Sequence, residues 1–438
     1  MPRGFCHYLL KPAAYMSRRR EEGLQMSVGI RHDDLRKRNR AMVISAVRRT
    51  GQASRTEIAA TTGLSHSTIS AISSDLIVEG VLAETKGGEA NALKRGRPQV
   101  AIGLNPEAAT VIAIVLLFNF LSVSVVDFTG HTIAEEQKKL STFHLSEDEL
   151  VGECIAMVKR QLGKRAVSGR PVSRIVLAIQ GTTDADNHTL LWSPITKHEG
   201  IDFGGRLERA FGAPVTVEND CNMIAVALRW RDPERYRSDF IAILLSHGIG
   251  MGLVLKGELF TGTQSSGGEF GHMVHRPDGA LCRCGRRGCV EAYAGNYAIW
   301  RSASGAGEDE APISDIGADD MAKLAAAARD HDGPEREAYR RAGEALGYGL
   351  GSLFALIDPA PVAMVGIGTG AFDLIEPALR SAIAMTAGGQ HSKAISFATY
   401  SDEVPLIALG CAMRALTFID EEVLAAGGTA AMSGKDVA

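Results

Sequence analysis

The chain runs to 438 residues and 46.6 kDa, with 45% hydrophobic residues, 22% charged residues, 48 Gly and 7 Cys. That balance excludes a collagen-like chain, a coiled-coil rod, a wholly disordered chain and a disulfide-stapled scaffold, and the length suits two to four domains at roughly 100–200 residues each. The net charge of −4 conceals an asymmetry: residues 1–97 hold 17 Lys+Arg against 9 Asp+Glu, and the remainder holds 30 against 42. A basic head on an acidic body points to one end that meets a polyanion.

Residues 1–30 carry scattered charge, including Arg18, Arg19 and Arg20, and no long apolar run, so they read as a poorly ordered extension rather than a signal peptide. The first organised block spans residues 31–104. Asp33 and Asp34 open a helical stretch with Leu35, Val43, Ala46 and Val47 on one side, and Gly51 closes it. Ser54 and Glu57 have capping-box spacing for a short helix that stops at Gly63. Ser65 opens the next helix, in which Ile69, Ile72 and Leu76 form a buried stripe, and Gly80 ends it.

Two short helices joined at Gly63 make a helix-turn-helix pattern. It leaves His66, Ser67, Thr68 and Ser70 off the apolar stripe, where small polar side chains can reach base edges and phosphates in a major groove. Val81–Leu82, a Gly87–Gly88 stretch and alternating Val100, Ile102 and Leu104 read as a β-wing. Between its strands, Arg95 and Arg97 sit in a basic Arg-Gly-Arg-Pro arm suited to a narrow minor groove.

From about residue 106 to 416, strand-like and helix-like runs alternate, which predicts an α/β body. The strand runs are 111–118, 123–128, 175–179, 215–217, 241–245 and 362–365; the helical runs are 147–162, 321–328, 336–357 and 374–385. The apolar stretch 109–126 has the length of a membrane span, but Asn119, Ser122 and Ser124 interrupt it, so two buried strands joined by a tight turn explain it better. Residues 301–318 read as a loop and 425–438 as a frayed tail. With no span and no signal, the chain is expected in the cytoplasm.

Three motifs carry chemistry. Cys282, Cys284 and Cys289 fall within eight residues with Gly285 and Gly288 at turns, and His272 lies ten residues upstream. A Cys3His set closes a tetrahedral shell, which suits structural zinc. Glu218-Asn219-Asp220-Cys221-Asn222 follows a strand, where α/β proteins bind ligands. In Ser246-His247-Gly248-Ile249-Gly250-Met251-Gly252, alternate glycines read as a turn that lets backbone N–H groups approach a phosphate.

Together, Gly267-Gly-Glu-Phe-Gly-His272 and the Cys282–Gly295 segment resemble the ROK family of repressors and sugar kinases, over roughly residues 31–420. The resemblance implies an N-terminal winged helix-turn-helix on a two-lobed, actin-like sugar-kinase body. The small lobe would span 105–219, joined by a C-terminal helix at about 405–424, and the large lobe 220–404. It implies that Asn219, Asp220, Glu269, His272 and Glu291 contact sugar hydroxyls and that His272, Cys282, Cys284 and Cys289 hold zinc, with His272 serving both.

In the kinases, the residue matching Asp220 is the catalytic base. Their Asp-x-Gly-Gly-Thr phosphate loop falls here at Val115-Leu116-Leu117-Phe118-Asn119, which cannot cradle phosphate, and Gln180 stands where the family commonly has Pro. The implied protein is a sugar-responsive transcriptional regulator, most simply a repressor, with Asp220 a vestige of the base. It would bind double-stranded operator DNA as a homodimer or homotetramer. The alternative is an active sugar kinase with a DNA-binding head.

Overall fold

The computed structural model describes residues 32–85, 100–263, 265, 267–312, 316–389 and 395–424. The expected 1–30 extension, the Gly87–Gly88 stretch, the arm with Arg95 and Arg97, and the 425–438 tail lie outside the described residues.

The head comprises α1 (His32–Thr50), β1 (Gln52–Ser54), α2 (Arg55–Thr62), α3 (His66–Val78), β2 (Leu82–Thr85) and β3 (Ala101–Leu104). Its local signals are realised atom by atom. The Glu57 N–H donates to Ser54 Oγ at 3.2 Å, and the Ser54 N–H donates back to Glu57 Oε2 at 2.8 Å. Gly63 ends α2 at φ 72°, a left-handed cap that costs a glycine little. Ser65 caps α3 by accepting from the Thr68 N–H. The wing strands pair antiparallel, and β1 joins them in the order β1-β3-β2. Three residues are too few for β1 to leave a periodic signal.

The small lobe builds a five-stranded sheet from β4 (Thr110–Leu117), β5 (Phe120–Asp127), β6 (Thr132–Lys139), β7 (Arg174–Ile179) and β11 (Val215–Asn219). The order is β11-β7-β4-β5-β6, and α4 (Glu147–Leu162) covers one face. Between β7 and β11 come a small flap sheet, β8 (Thr182–Thr183), β9 (Thr189–Trp192) and β10 (Ile201–Asp202), and then α5 (Phe203–Phe211).

After α6 (Asp220–Arg231), the large lobe forms β12 (Phe240–Leu245), β13 (Ile249–Leu255), β14 (Glu258–Phe260), α7 (Glu291–Ala294), α8 (Asn296–Ala303), α9 (Ala318–Asp330), α10 (Pro334–Ile357), β15 (Val362–Val365), α11 (Phe372–Ala384) and β16 (Phe397–Tyr400). Its sheet order is β14-β13-β12-β15-β16. The chain then returns as α12 (Glu403–Phe418) and a wide helical turn, Ile419–Leu424.

The core explains the layering. Val111, Ala113 and Val115 of one sheet and Phe240, Ala242 and Leu244 of the other bury against α6 and α12, which form a middle layer between the lobes. The same apolar cluster continues into Val43, Ile44 and Val47 of α1, so head and body share one core. Two buried arginines of α1 secure that junction. Arg48 forks onto Asp420 at 2.8 and 3.1 Å, donates to the Phe128 carbonyl, and stacks over the Phe128 ring at 4.4 Å. Arg40 bonds Glu79 and donates to the Leu424 carbonyl at 2.9 and 3.1 Å.

Two sequence expectations need correction. The span 301–318 is not all loop, because α8 runs through Ala303 and α9 starts at Ala318. Gly250 and Gly252 lie in strand β13, not in a phosphate-cradling turn. A Cβ on Gly250 would stand 2.3 Å from Cys221 Sγ, and one on Gly252 2.3 Å from the Cys221 carbonyl oxygen. These glycines admit the first turn of α6 against β13.

Candidate functional site

The strand-to-helix junction at β11 and α6 sets the site. Asn219 caps α6, its Oδ1 accepting from the N–H groups of Cys221 at 2.9 Å and Asn222 at 3.3 Å. Its Nδ2 donates to the Gly181 carbonyl at 3.0 Å, tying the flap to β11. Asp220, the first residue of α6, is 2% exposed. Its Oδ1 accepts from the Cys221 N–H at 2.9 Å, while Oδ2 has no hydrogen-bond partner among the described residues. Burial, reinforced by nearby Glu269, pushes its carboxyl up to about 7 against the accepting bonds from Cys221.

Asp220 opens into a cleft of about 660 Å³, its mouth included, which Asn219, Glu269, His272 and Glu291 also line. The structure therefore brings all five expected ligand residues to one place, with different duties. Glu269, raised by burial and by Glu291, keeps one oxygen 3.4 Å from Thr182 Oγ1 and the other 3.8 Å from His272 Nε2. Glu291 serves mainly as an internal brace: it accepts from the Ile249 N–H at 3.1 Å, the Tyr297 hydroxyl at 3.2 Å and the Cys282 thiol at 3.5 Å.

His272 turns its other nitrogen outward from the cleft. Nδ1 lies 3.8 Å from Cys282 Sγ, and Cys284 Sγ lies 3.8 Å from Cys289 Sγ. All four donor atoms fall within 4.8 Å of one another. A tetrahedron with metal–sulfur bonds of ~2.3 Å has edges of about 3.8 Å, so the spacing suits one metal ion. Burial drives the Cys282 and Cys289 thiols up, Cys289 to about 11; a bound cation is what would make them thiolates. The Gly288 φ of 75° and its approach to Arg276, where a Cβ would stand 1.8 Å from the carbonyl oxygen, explain why that turn needs glycine.

Sequence reasoning missed the flap. Among the described residues, contacts cross from it to the large lobe at Thr182 to Glu269, at Ser265 Oγ to Asn187 Oδ1 at 3.1 Å, and where the Trp192 ring meets His272 at 6.2 Å between centroids. A lone Trp before Ser-Pro carries no motif, so only the fold reveals it as cleft lining.

Val115 and Leu116 are fully buried in β4, and Phe118–Asn119 make the β4–β5 turn. The Phe118 ring meets the His247 ring at 5.4 Å, and the Arg283 guanidinium lies 5.9 Å from Phe118 and 4.8 Å from the Tyr297 ring. In the head, His66, Ser67 and Ser70 are exposed on α3 and Thr68 is half-buried. Among the described residues, no helix is long and apolar enough to cross a membrane.

Comparisons with known proteins bear on this geometry. Residues 120–412 match the family described as the ROK family. The chain is 24% identical over 336 residues to the xylose repressor of Caldicellulosiruptor bescii, covering 76% of this chain and 83% of that one. It is 24% identical over 360 residues to the DNA-binding transcriptional dual regulator NagC of Escherichia coli, covering 80% and 86%. Among solved structures, a ROK family transcriptional regulator, homologous to the E. coli MLC protein, superposes with a TM-score of 0.72 at 22% identity, covering 90% of this chain and 100% of its own. A ROK family glucokinase from Streptomyces griseus, in complex with glucose and AMPPNP, gives 0.56 at 22% identity, covering 69% and 98%.

Proposed function

The chain belongs to the ROK family, and from that premise we propose that it is a sugar-responsive, DNA-binding transcriptional regulator without kinase activity. The carrying observation is the pairing of a winged-helix head, joined to the body through one core, with a polar cleft; in support, the segment that the resemblance sets at the kinases' phosphate loop begins with Val115 and Leu116, both buried in β4. The regulator's likeness spans 90% of the chain and the glucokinase's 69%.

In this reading, Asp220 and Glu269 accept from sugar hydroxyls, with Asp220 Oδ2, unpartnered among the described residues, the principal acceptor. His66, Ser67, Thr68 and Ser70 read the major groove, and Arg95 and Arg97 follow the minor groove. Zinc, held by His272, Cys282, Cys284 and Cys289, fixes the loop that presents Glu269 and Glu291. Two heads on a palindromic site call for a dimer or tetramer, and repression is the simplest mode. The alternative reading as an active kinase draws on a second pocket of about 630 Å³, its mouth included, beside Gly368 and Gly370.

The test is reciprocal. Duplexes selected by the protein from a random pool are titrated with and without xylose, N-acetylglucosamine and glucose, and each sugar is titrated with and without the duplex. Coupling of ~1–3 kcal/mol changes both affinities by the same factor, about 5- to 150-fold. Selection of no preferred duplex, or identical sugar affinity in both titrations, overturns the proposal. ADP release from ATP with any of these sugars establishes the kinase instead.

A further inference from the structure

The flap does more than close the cleft. Thr182 and Trp192 are Cα partners in the β8–β9 pair and so share one face of that sheet. On that face Thr182 reaches Glu269, and Trp192 stands at 77° to the His272 ring. The backbone is built to hold the indole there. Gly181 adopts φ 145°, and a Cβ on it would stand 2.3 Å from the Trp192 carbonyl oxygen, so only glycine lets Trp192 lie this close. On the other side, the Ser193 hydroxyl donates to the Gln180 carbonyl, and Ser193 is buried.

Trp192 is half-buried and lines the same cleft as Asp220 and Glu269. Apart from His272, it is the one aromatic ring among the described residues lining that cleft. The site thus sets a broad apolar ring on the small-lobe flap, with carboxylates and the His272 edge completing the cleft.

Resting on the sugar reading above, we infer that Trp192 is a stacking platform that selects a sugar in its closed pyranose form. A pyranose with equatorial hydroxyls carries its C–H bonds axially, which gives it an apolar face, while the hydroxyls project from its rim. The face suits the indole, whose area is large and whose conformational cost is small. The rim suits Asp220 and Glu269, and a site built to pair hydroxyls penalises ligands that leave its acceptors unmet. An open-chain alditol of the same composition offers the hydroxyls without the face. Stacking supplies affinity for the ring, and the carboxylates supply the choice among hydroxyl patterns.

Calorimetry on the full chain tests this with D-glucose against D-glucitol, D-xylose against xylitol, and N-acetylglucosamine, supported by tryptophan fluorescence. For the pyranose that binds, Trp192→Ala and Trp192→Leu lower affinity about ten- to 100-fold. Trp192→Phe keeps affinity within about tenfold, which shows that the folded cleft is intact, and abolishes the sugar-induced change in fluorescence. Wild-type affinity in the Ala or Leu variant overturns the inference, as does an alditol that binds as tightly as its pyranose. If a sugar binds through Asp220 and Glu269 yet ignores Trp192, this inference fails alone. If no sugar of the panel binds the wild-type protein, both it and the sugar reading fail.

Discussion

Replacing Arg48 with Met removes the cation from the head–body junction and keeps much of its volume. Arg48 and Asp420 side chains are 2% and 7% exposed, and among the described residues Arg48 supplies both hydrogen bonds to the Asp420 carboxylate. Burial already raises the Asp420 carboxyl with Arg48 beside it. Without Arg48 the carboxylate is left buried and unpaired, a loss of about 3–5 kcal/mol. Protonation limits that loss: neutralising a carboxyl with an unfolded value near 3.9 costs about 4 kcal/mol at pH 7 and roughly 1.4 kcal/mol less for each pH unit downwards. In the variant, the folded-state value lies above the unfolded one. The junction is therefore firmest below about pH 4 and loosens as pH rises through the folded value. Hydrogen–deuterium exchange over α1 and 419–424, corrected for intrinsic rates, should report faster opening than wild type by two to three orders of magnitude at pH 7.5, with a smaller gap at pH 5.5. The double variant Arg48→Met/Asp420→Leu should recover most of the protection. Wild-type exchange in the single variant would refute the reasoning, and a pH-independent gap would show that the buried carboxylate is not its cause.

Freshly purified protein should carry about one zinc per chain, and Cys284→Ser should lose it; metal analysis finding none in the wild type removes the metal from the cleft's support. The sugar-free protein should lose stability as pH rises from about 4 towards 7, because folding holds on Asp220 a proton that the unfolded chain releases. Raising that carboxyl from 3.8 to about 7 amounts to about 4 kcal/mol. Asp220→Asn should therefore flatten this part of the pH profile, melt above wild type at pH 8, and bind sugar five- to 150-fold more weakly; parallel melting profiles count against the buried carboxyl. Gly252→Ala should cost about 1–3 kcal/mol by forcing α6 off β13, a loss that an unchanged denaturation midpoint would contradict.

Local chemistry was written in the sequence. The Ser54–Glu57 box, the Gly63 cap, the Ser65 cap and the Glu147–Leu162 helix emerge within a residue or so of where the residues place them, because caps and periodicity act over a few neighbours. The cysteine cluster was legible for the same reason, since three of its four donors lie within eight residues. Short or mixed elements were not: β1, the flap strands, and α6, whose buried residues include Asp220 and Asn222, carry too few positions or too uniform a burial for a period to show. The glycines of β13 look like a phosphate turn in sequence, and only packing against Cys221 reveals them as room for a helix. Long-range pairing decided the rest. Arg48 meets Asp420 across 372 positions, Thr182 meets Glu269 across 87, and Trp192 meets His272 across the cleft. No neighbour in the chain announces such partners; they are fixed when α6 and α12 bury their apolar faces between the two sheets and so set the distances between lobes and head.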